Sequence, residues 1–396
     1  MQNSIELSAS AIESFKACPT RFKLRYVDRI APIEDTDAQR IGTNWHKLLE
    51  VLSLEPESVC WNCAKQAQPV TGCLYCGGTG FLPKNTMDIA IRFLWDAYTI
   101  GGMLVNDREV EYYTLLNALV GYNWYWASQE RYKTIVREFD FEIPIRSLTG
   151  RALSNAKLRG KIDKIVQNEN GQFLVIEHKS TSKSIDSDST IWSHYNMGVQ
   201  SYLYPGTAQQ LQLEGELKDW GITPKDPPIF GVLFDVFHKP QISPKKLTQK
   251  ASKEFVENVP HVYMGQVFQT MMWIKSVDGD RLEINGVPAE IELGKKAGTL
   301  AIRETPEMFG ARLLEDISER PEFYFSRREV ARTSSDFERF RRELLSIYQT
   351  IRLMKKNCGW YHNDQQCEAT FRCPYISICY SNKDVSEEVP NGFRRI

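Results

Sequence analysis

Asp163, Glu177 and Lys179 lie on two neighbouring segments, LRGKIDKIV and FLVIEHKS, joined by QNENGQ. Both segments carry strand signals, and the Asn-Gly between them marks a hairpin. If the connection is a three-residue loop of Glu169, Asn170 and Gly171, with the glycine left-handed, Asn168 pairs with Gln172 and Asp163 falls opposite Glu177. Opposed residues project to the same face, and Lys179 joins that face because strand side chains alternate with period two. Two converging carboxylates repel unless a cation sits between them, and oxygen ligands of this kind suit Mg²⁺ or Mn²⁺. Such an ion polarises a phosphodiester and activates a bound water, while a lysine two residues on orients that water or neutralises developing charge. The chemistry is phosphodiester hydrolysis. Glu-X-Lys alone carries little weight, because charged strand residues are commonly a solvated face. Its place after the apolar run FLVI, beside a strand holding Gly160 and Asp163, is what singles it out.

Other residues are competent to bind metal. His46 and Glu50 lie four apart on a predicted helix over 41–54 and so share a face. The nine cysteines fall into groups: Cys60, Cys63, Cys73 and Cys76; then Cys358, Cys367, Cys373 and Cys379; with Cys18 alone. The first group is a pair of Cys-X-X-Cys knuckles, the pattern that grips tetrahedral Zn²⁺. A redox dithiol would need one pair and a thioredoxin-like βαβ setting, which is absent.

These residues need a scaffold. LSASAIESFKACPTRFKLRYV predicts a helix capped by Ser8 or Ser10 and broken at Cys18-Pro19. An aromatic, helical region is expected over about 86–133, its rings serving mainly as packing. Strands follow at IVREFDFEIPI, LRGKIDKIV, QFLVIEHK and FGVLFDVF, with a helix around 189–204 between the last two. The segment 306–356 is charged and mostly helical, its arginines concentrated in FSRREVAR and FERFRREL. At 396 residues, 42% hydrophobic and 25% charged, the expectation is one elaborated domain with a large core. Net charge is −1, so nucleic acid must be met by local patches, for which Lys157, Arg159, Lys245, Lys246, Arg327 and Arg328 are candidates. The N-terminus lacks a signal-peptide pattern and no run reaches membrane-span length, which predicts an intracellular protein that makes no use of a membrane.

The order GTNWH, RGKID, IEHK and QSYLY resembles the RecB-like branch of the PD-(D/E)XK nucleases, including the AddB nuclease domain and CRISPR-associated RecB-like exonucleases, with a phage-encoded protein among the expectations. The resemblance runs from Cys18 to Cys379. It implies an α/β fold: a restriction-endonuclease-like core, with a central mixed sheet flanked by helices, helical elaborations and a zinc-knuckle insertion. Within 1–396 it predicts the catalytic sheet over 134–240, the knuckle over 58–82 and a cysteine segment over 357–380. It also implies that His46, Asp163, Glu177 and the His178 backbone carbonyl hold Mg²⁺ or Mn²⁺. Asp163, Glu177 and Lys179 are then catalytic, and Gln200 and Tyr204 line the DNA channel. Pro205 departs from the pattern, because a residue before proline disfavours helix, so the helix is expected to end there. One cysteine before the core and three beyond it imply a 4Fe-4S cluster on Cys18, Cys367, Cys373 and Cys379, with zinc or buried free thiols as alternatives and Cys358 a possible replacement for Cys18.

The expected function is a metal-dependent DNA exonuclease acting on single-stranded or end-containing DNA in repair, recombination, phage DNA metabolism or CRISPR adaptation, in the cytoplasm of a bacterial or phage-infected cell. No GxxxxGK[ST] occurs, and GKKAGT at 294–299 lacks its spacing, so a helicase or recombination partner would be a separate protein. The alternatives are a non-catalytic DNA-binding scaffold subunit and an endonuclease that reads sequence or structure. Three retained residues, Asp163, Glu177 and Lys179, argue against the scaffold.

Overall fold

The strand signals of 132–168 and the apolar run FLVI encode neighbouring strands that pair within one sheet in a computed structural model of the protein. The structure describes residues 4–34, 36–66, 68–105, 107–129, 131–273, 281–295, 299–369, 372–381, 385 and 388–396. Residues 296–298 of GKKAGT and 370–371 of the C-terminal cysteine segment therefore lie outside the described residues.

In chain order the elements that build the site are β1 (Ile5–Leu7), α1 (Ala9–Ala17), α2 (Asp37–Leu52), α3 (Thr86–Tyr98), α4 (Glu109–Ala127), β2 (Tyr132–Arg146), β3 (Ala152–Asn168), β4 (Phe173–Thr181), α5 (Thr190–Met197), α6 (Gln200–Glu214), β5 (Gly231–His238), α7 (Pro306–Glu319), β6 (Phe325–Ala331) and α8 (Ser334–Asn357). The sheet runs β1-β3-β4-β5-β6, and β2 pairs along the other edge of β3. It is mixed: β1 and β3 are parallel, as are β4 and β5, and the remaining pairs are antiparallel. Helices cover both faces. On one, Ile12, Leu203, Leu211 and Leu344 pack with Ile162 and Val175. On the other, Trp45, Leu49, Leu119 and Ile317 pack with Phe237 and Phe325.

Several elements differ from the sequence reading. The expected helical region 86–133 is two helices, because Gly101 and Gly102 both take left-handed conformations and turn a short hairpin between them. The segment 189–204 is likewise two helices, parted at Gly198. FSRREVA, expected to be helical, is β6, paired along its whole length with β5, whose residues are all buried. Residues 261–302 add short hairpins around Phe255, Phe268 and Ile302, which sequence reasoning left unassigned.

The largest departure is α6, which continues through Pro205 to Glu214. Proline has no N–H for the Ser201 carbonyl one turn back, and such an orphan normally ends a helix. Here Arg332 supplies the missing donor, its Nε reaching that carbonyl at 3.1 Å and its Nη2 the Ser201 hydroxyl at 2.7 Å. No helix among the described residues is long and apolar enough to cross a membrane.

Candidate active site

The hairpin has the register counted from its turn. Lys164 pairs with Ile176 and Gln167 with Phe173, Asn168 N–H bonds the Gln172 carbonyl, and Gly171 is left-handed. The ladder stops at Lys164–Ile176, one step short of Asp163–Glu177. On the same edge of β3, β1 pairs only with residues 156–158, so the strand is open around Asp163. Asp163 uses that gap: its Oδ2 accepts from the His178 backbone N–H at 3.1 Å. The other edge is irregular too, since Glu138, opposite Asp163 in the register, has a left-handed φ of 48°. Non-glycine residues so strained gather at functional sites.

Glu177 is buried, 3% exposed. Its Oε1 accepts from Lys179 Nζ at 2.7 Å and from Gln200 Nε2 at 2.7 Å, while Lys179 also donates to the Gln200 side-chain oxygen Oε1. Gln200 opens α6, so the helix entry is tied to the strand that carries the acid and the lysine. Tyr204, one turn on, is buried and packs edge-on against Phe141 with centroids 6.3 Å apart. Gln200, expected with Tyr204 to line a channel, is half-buried beside Glu177 and Lys179. Gly160 makes the packing of Tyr204 on Phe141 possible: a Cβ there would stand 2.8 Å from the Phe141 ring and 3.4 Å from that of Tyr204. Gly160→Ala is expected to cost about 1–3 kcal/mol through overpacking, read from denaturant unfolding. An unchanged midpoint would show that Phe141 yields freely.

His46 approaches from α2, its Nδ1 3.6 Å from Asp163 Oδ2, and the ring also hydrogen-bonds the backbone of His178. Burial holds its pKa down at about 4, against the pull of Asp163 and with repulsion from His178 and Lys179 in support, so the imidazole is neutral at neutral pH. One turn later, Glu50 is engaged by Lys47 at 2.7 Å and by Lys161 at 3.7 Å, and Lys161 also pairs with Glu138. Glu50 is thus paired with lysines, as Glu177 is, and it lines the same cleft as His46. Gly42, Thr43, His46, Lys47, Glu50, Lys179 and Ser180 line an open cleft of about 500 Å³.

By their chemistry two carboxylates and a neutral imidazole suit a hard divalent ion, with the Lys179 ammonium beside them; among the described residues, the cysteines at 60–76 are the group whose ligand atoms all lie within 4.8 Å of one another. Burial pushes the Glu177 carboxyl up to about 7, against the attraction of Lys179 and with repulsion from Asp163 in support. Glu138 is pushed to about 7 as well, first by burial. Between the ordinary value of 4.5 and about 7 the folded state holds a proton that the unfolded state has lost. Stability of the metal-free protein should therefore fall as pH rises across that window, by on the order of 3 kcal/mol for Glu177. Urea unfolding at pH 5 and pH 7.5 in chelator measures this, and Glu177→Gln should flatten the slope. An equally steep slope in the variant would assign it to other groups.

Cys60, Cys63, Cys73 and Cys76 are all buried, and their sulfurs lie within 4.8 Å of one another. Backbone N–H groups of Val70 and Gly80 point at the sulfurs of Cys63 and Cys76, at 3.3 and 3.4 Å. Burial raises the Cys60 thiol to about 12, whereas at Cys76 the Gly80 donor and its neighbours overcome burial and bring it to about 6. Four such sulfurs fit a tetrahedral zinc knuckle. The group adjoins the cleft, since Lys47 Nζ donates to Tyr75 Oη at 3.0 Å.

Cys18, Cys367, Cys373 and Cys379 line one small cavity where the two ends of the chain meet. There the Asn363 N–H reaches Cys18 Sγ at 3.4 Å, and Thr20 N–H reaches the Tyr361 carbonyl at 3.1 Å. Cys358 caps α8 in a left-handed conformation, is exposed and is not part of that lining.

Among the candidate phosphate contacts, Arg327 is corrected. Its side chain is 10% exposed and is spent on Asp235 and Tyr122. Lys157, Arg159 and Lys246 pair with Glu142, Glu6 and Glu292. Sequence reasoning missed Lys47, Glu138, Lys161 and Asp235. Lys161 shares the face of Asp163 by period two, and a lone carboxylate in the apolar run GVLFDVF was a signal for Asp235.

The model of the PD-(D/E)XK nuclease superfamily matches residues 6–78 and 103–380, spans that contain His46, Asp163, Glu177, Lys179 and both groups of four cysteines. No curated protein is similar enough to match.

Proposed function

Because the chain belongs to the PD-(D/E)XK nuclease superfamily, whose chemistry is the hydrolysis of nucleic acid, we propose that it is a Mg²⁺- or Mn²⁺-dependent DNA exonuclease of the RecB-like branch. The observation that carries the reading is the pairing of Asp163 with His46 and of Glu177 with Lys179 beside one open cleft, whose lining includes His46 and Lys179.

Asp163, Glu177, His46 and the His178 carbonyl would hold the ion. When bound, it supplies Lewis acidity towards the scissile phosphate and an acidified water. Lys179, fixed by Glu177 and Gln200, orients that water with its ammonium group and offsets charge gathering on the phosphate oxygens. Asp163 is fixed in turn by the His178 N–H, so neither acid needs to reorganise during reaction. Lys47, held by Glu50 and Tyr75 at the cleft wall, is placed to meet the DNA backbone.

In this reading residues 58–82 are a zinc-knuckle insertion that braces the wall carrying Lys47, and 134–240 supply the catalytic sheet. The segment 357–380 joins Cys18 around a 4Fe-4S cluster. A cluster places its own irons and sulfides between the cysteines, so it suits the cavity lined by Cys18, Cys367, Cys373 and Cys379, whereas the tighter Cys60 group suits a single ion. A separate helicase or recombination protein would deliver DNA ends, and the setting would be the cytoplasm of a bacterial or phage-infected cell.

Anaerobically purified protein, given end-labelled single- and double-stranded DNA with Mg²⁺ or Mn²⁺, tests the reading. Progressive shortening from ends supports an exonuclease, and internal cuts in closed circles would replace it with an endonuclease. Absence of cutting by folded, metal-replete protein would favour a scaffold.

A further inference from the structure

A second row of ionisable side chains crosses the sheet on the face opposite Glu177 and Lys179. The strand registers set His178 on β4 beside Asp235 on β5, and Asp235 beside Arg327 on β6. His178 Nδ1 lies 3.2 Å from Asp235 Oδ2, and Arg327 Nε 3.4 Å from Oδ1. Tyr122 from α4 closes the row, its hydroxyl donating to Asp235 and accepting from Arg327 Nη2 at 3.0 Å. The guanidinium also lies over the Trp126 ring, 4.1 Å from its centroid. His178 and Asp235 are 2% and 1% exposed.

Burying charge is costly, and apolar residues of similar volume often serve stability as well or better. What residue 178 touches gives the row a purpose. Its N–H holds Asp163, its backbone bonds the His46 ring, and its own ring meets that of His46 edge-on, with centroids 6.2 Å apart. Residue 178 thus touches both Asp163 and His46, and its ring lies against Asp235. The carboxylate stands at ion-pair distance from Nδ1 without a formed hydrogen bond, so its hold on the ring is electrostatic.

We propose that Asp235, with Tyr122 and Arg327, is a positioning group that acts through His178 to hold Asp163 and His46 together as ligands for a divalent cation. The inference rests on the metal-dependent reading above. Carboxylates behind metal-site histidines carry a comparable load elsewhere, where their loss costs about 10–100-fold in metal affinity or activity.

The test is Mn²⁺ binding to the full chain without DNA, followed by electron paramagnetic resonance and paired with the Mn²⁺ activation curve for cleavage and with thermal unfolding. Asp235→Asn is expected to weaken Mn²⁺ binding about 10–100-fold, with cleavage recovering at saturating Mn²⁺. Tyr122→Phe, which removes one donor and leaves every charge, should shift binding in the same direction by less. The double variant Asp235→Leu/Arg327→Met removes the buried charges together, so it folds where the single variant does not, and should bind as weakly as Asp235→Asn. Wild-type Mn²⁺ affinity in a folded Asp235→Asn or double variant would reduce the row to a structural feature and overturn the proposal. Failure of folded wild type to bind Mn²⁺ overturns both this inference and the reading beneath it. Mn²⁺ binding that depends on Asp235, in a protein that does not cut, supports the inference and overturns the nuclease reading alone.

Discussion

Lys179→Ala should lower the single-turnover rate of metal-dependent DNA cleavage by about 10²–10³-fold, the loss typical when a preorganised charge is removed from a reacting centre. Lys179 is 21% exposed, on the cleft side of β4, with Nζ held by Glu177 and Gln200. Those two partners hold the ammonium in place before substrate arrives, so its effect falls on the chemical step and DNA affinity should change little. Lys179→Arg should rescue poorly, because a planar guanidinium fork does not replace a compact ammonium in the same space. Quench-flow cleavage of end-labelled DNA, alongside DNA binding in Ca²⁺ and thermal unfolding, separates the effects. A variant that folds, binds DNA and cuts at the wild-type rate would remove Lys179 from the mechanism.

The second large effect is expected at the knuckle. Cys63→Ser should abolish binding of one equivalent of Zn²⁺ and lower the apparent Tm by about 10 °C, since structural zinc contributes directly to folding and a few kcal/mol moves Tm by several degrees. The cysteines share a core cluster with Trp45, Leu49, Ile89 and Leu94 on α2 and α3, so the loss is not confined to a surface loop. Tyr75 belongs to the same cluster and holds Lys47, so loosening the knuckle should also raise the DNA concentration needed for half-maximal cleavage. Metal analysis by mass spectrometry provides the check. Zinc should fall while iron stays, because the other four cysteines surround a separate cavity. Loss of iron with zinc retained would reverse the assignment of the two sites.

How much of this was legible in the sequence depended on range. The Asp163–Glu177 register was written locally, in period-two alternation and the left-handed demand at Gly171. The Cys60 group was equally local, because each knuckle grips through a short turn. The capped first helix broken at Cys18-Pro19 also followed from caps and proline, and Ser8 is its N-cap.

Other features depend on groups far away in the chain. Pro205 looked like a helix end and is not one, because Arg332, brought by the end of β6, supplies the hydrogen bond that proline lacks. Gly160 reads as a motif glycine, but the reason for it is the space taken by Phe141 and Tyr204. Glu50 reads as a neighbour of His46 on one helix face, and only the fold shows that Lys47 and Lys161 pair with it there. Arg327, in a segment that looked helical and solvated, becomes buried once FSRREVA pairs with β5 and sets it beside Asp235. By itself the sequence determined the hairpin, its paired acids with their lysine, and the knuckle, because those are set by neighbours along the chain. Only the tertiary structure decided which charges are neutralised, which are buried and which of them reach the cleft, because those depend on where distant strands and helices come to rest.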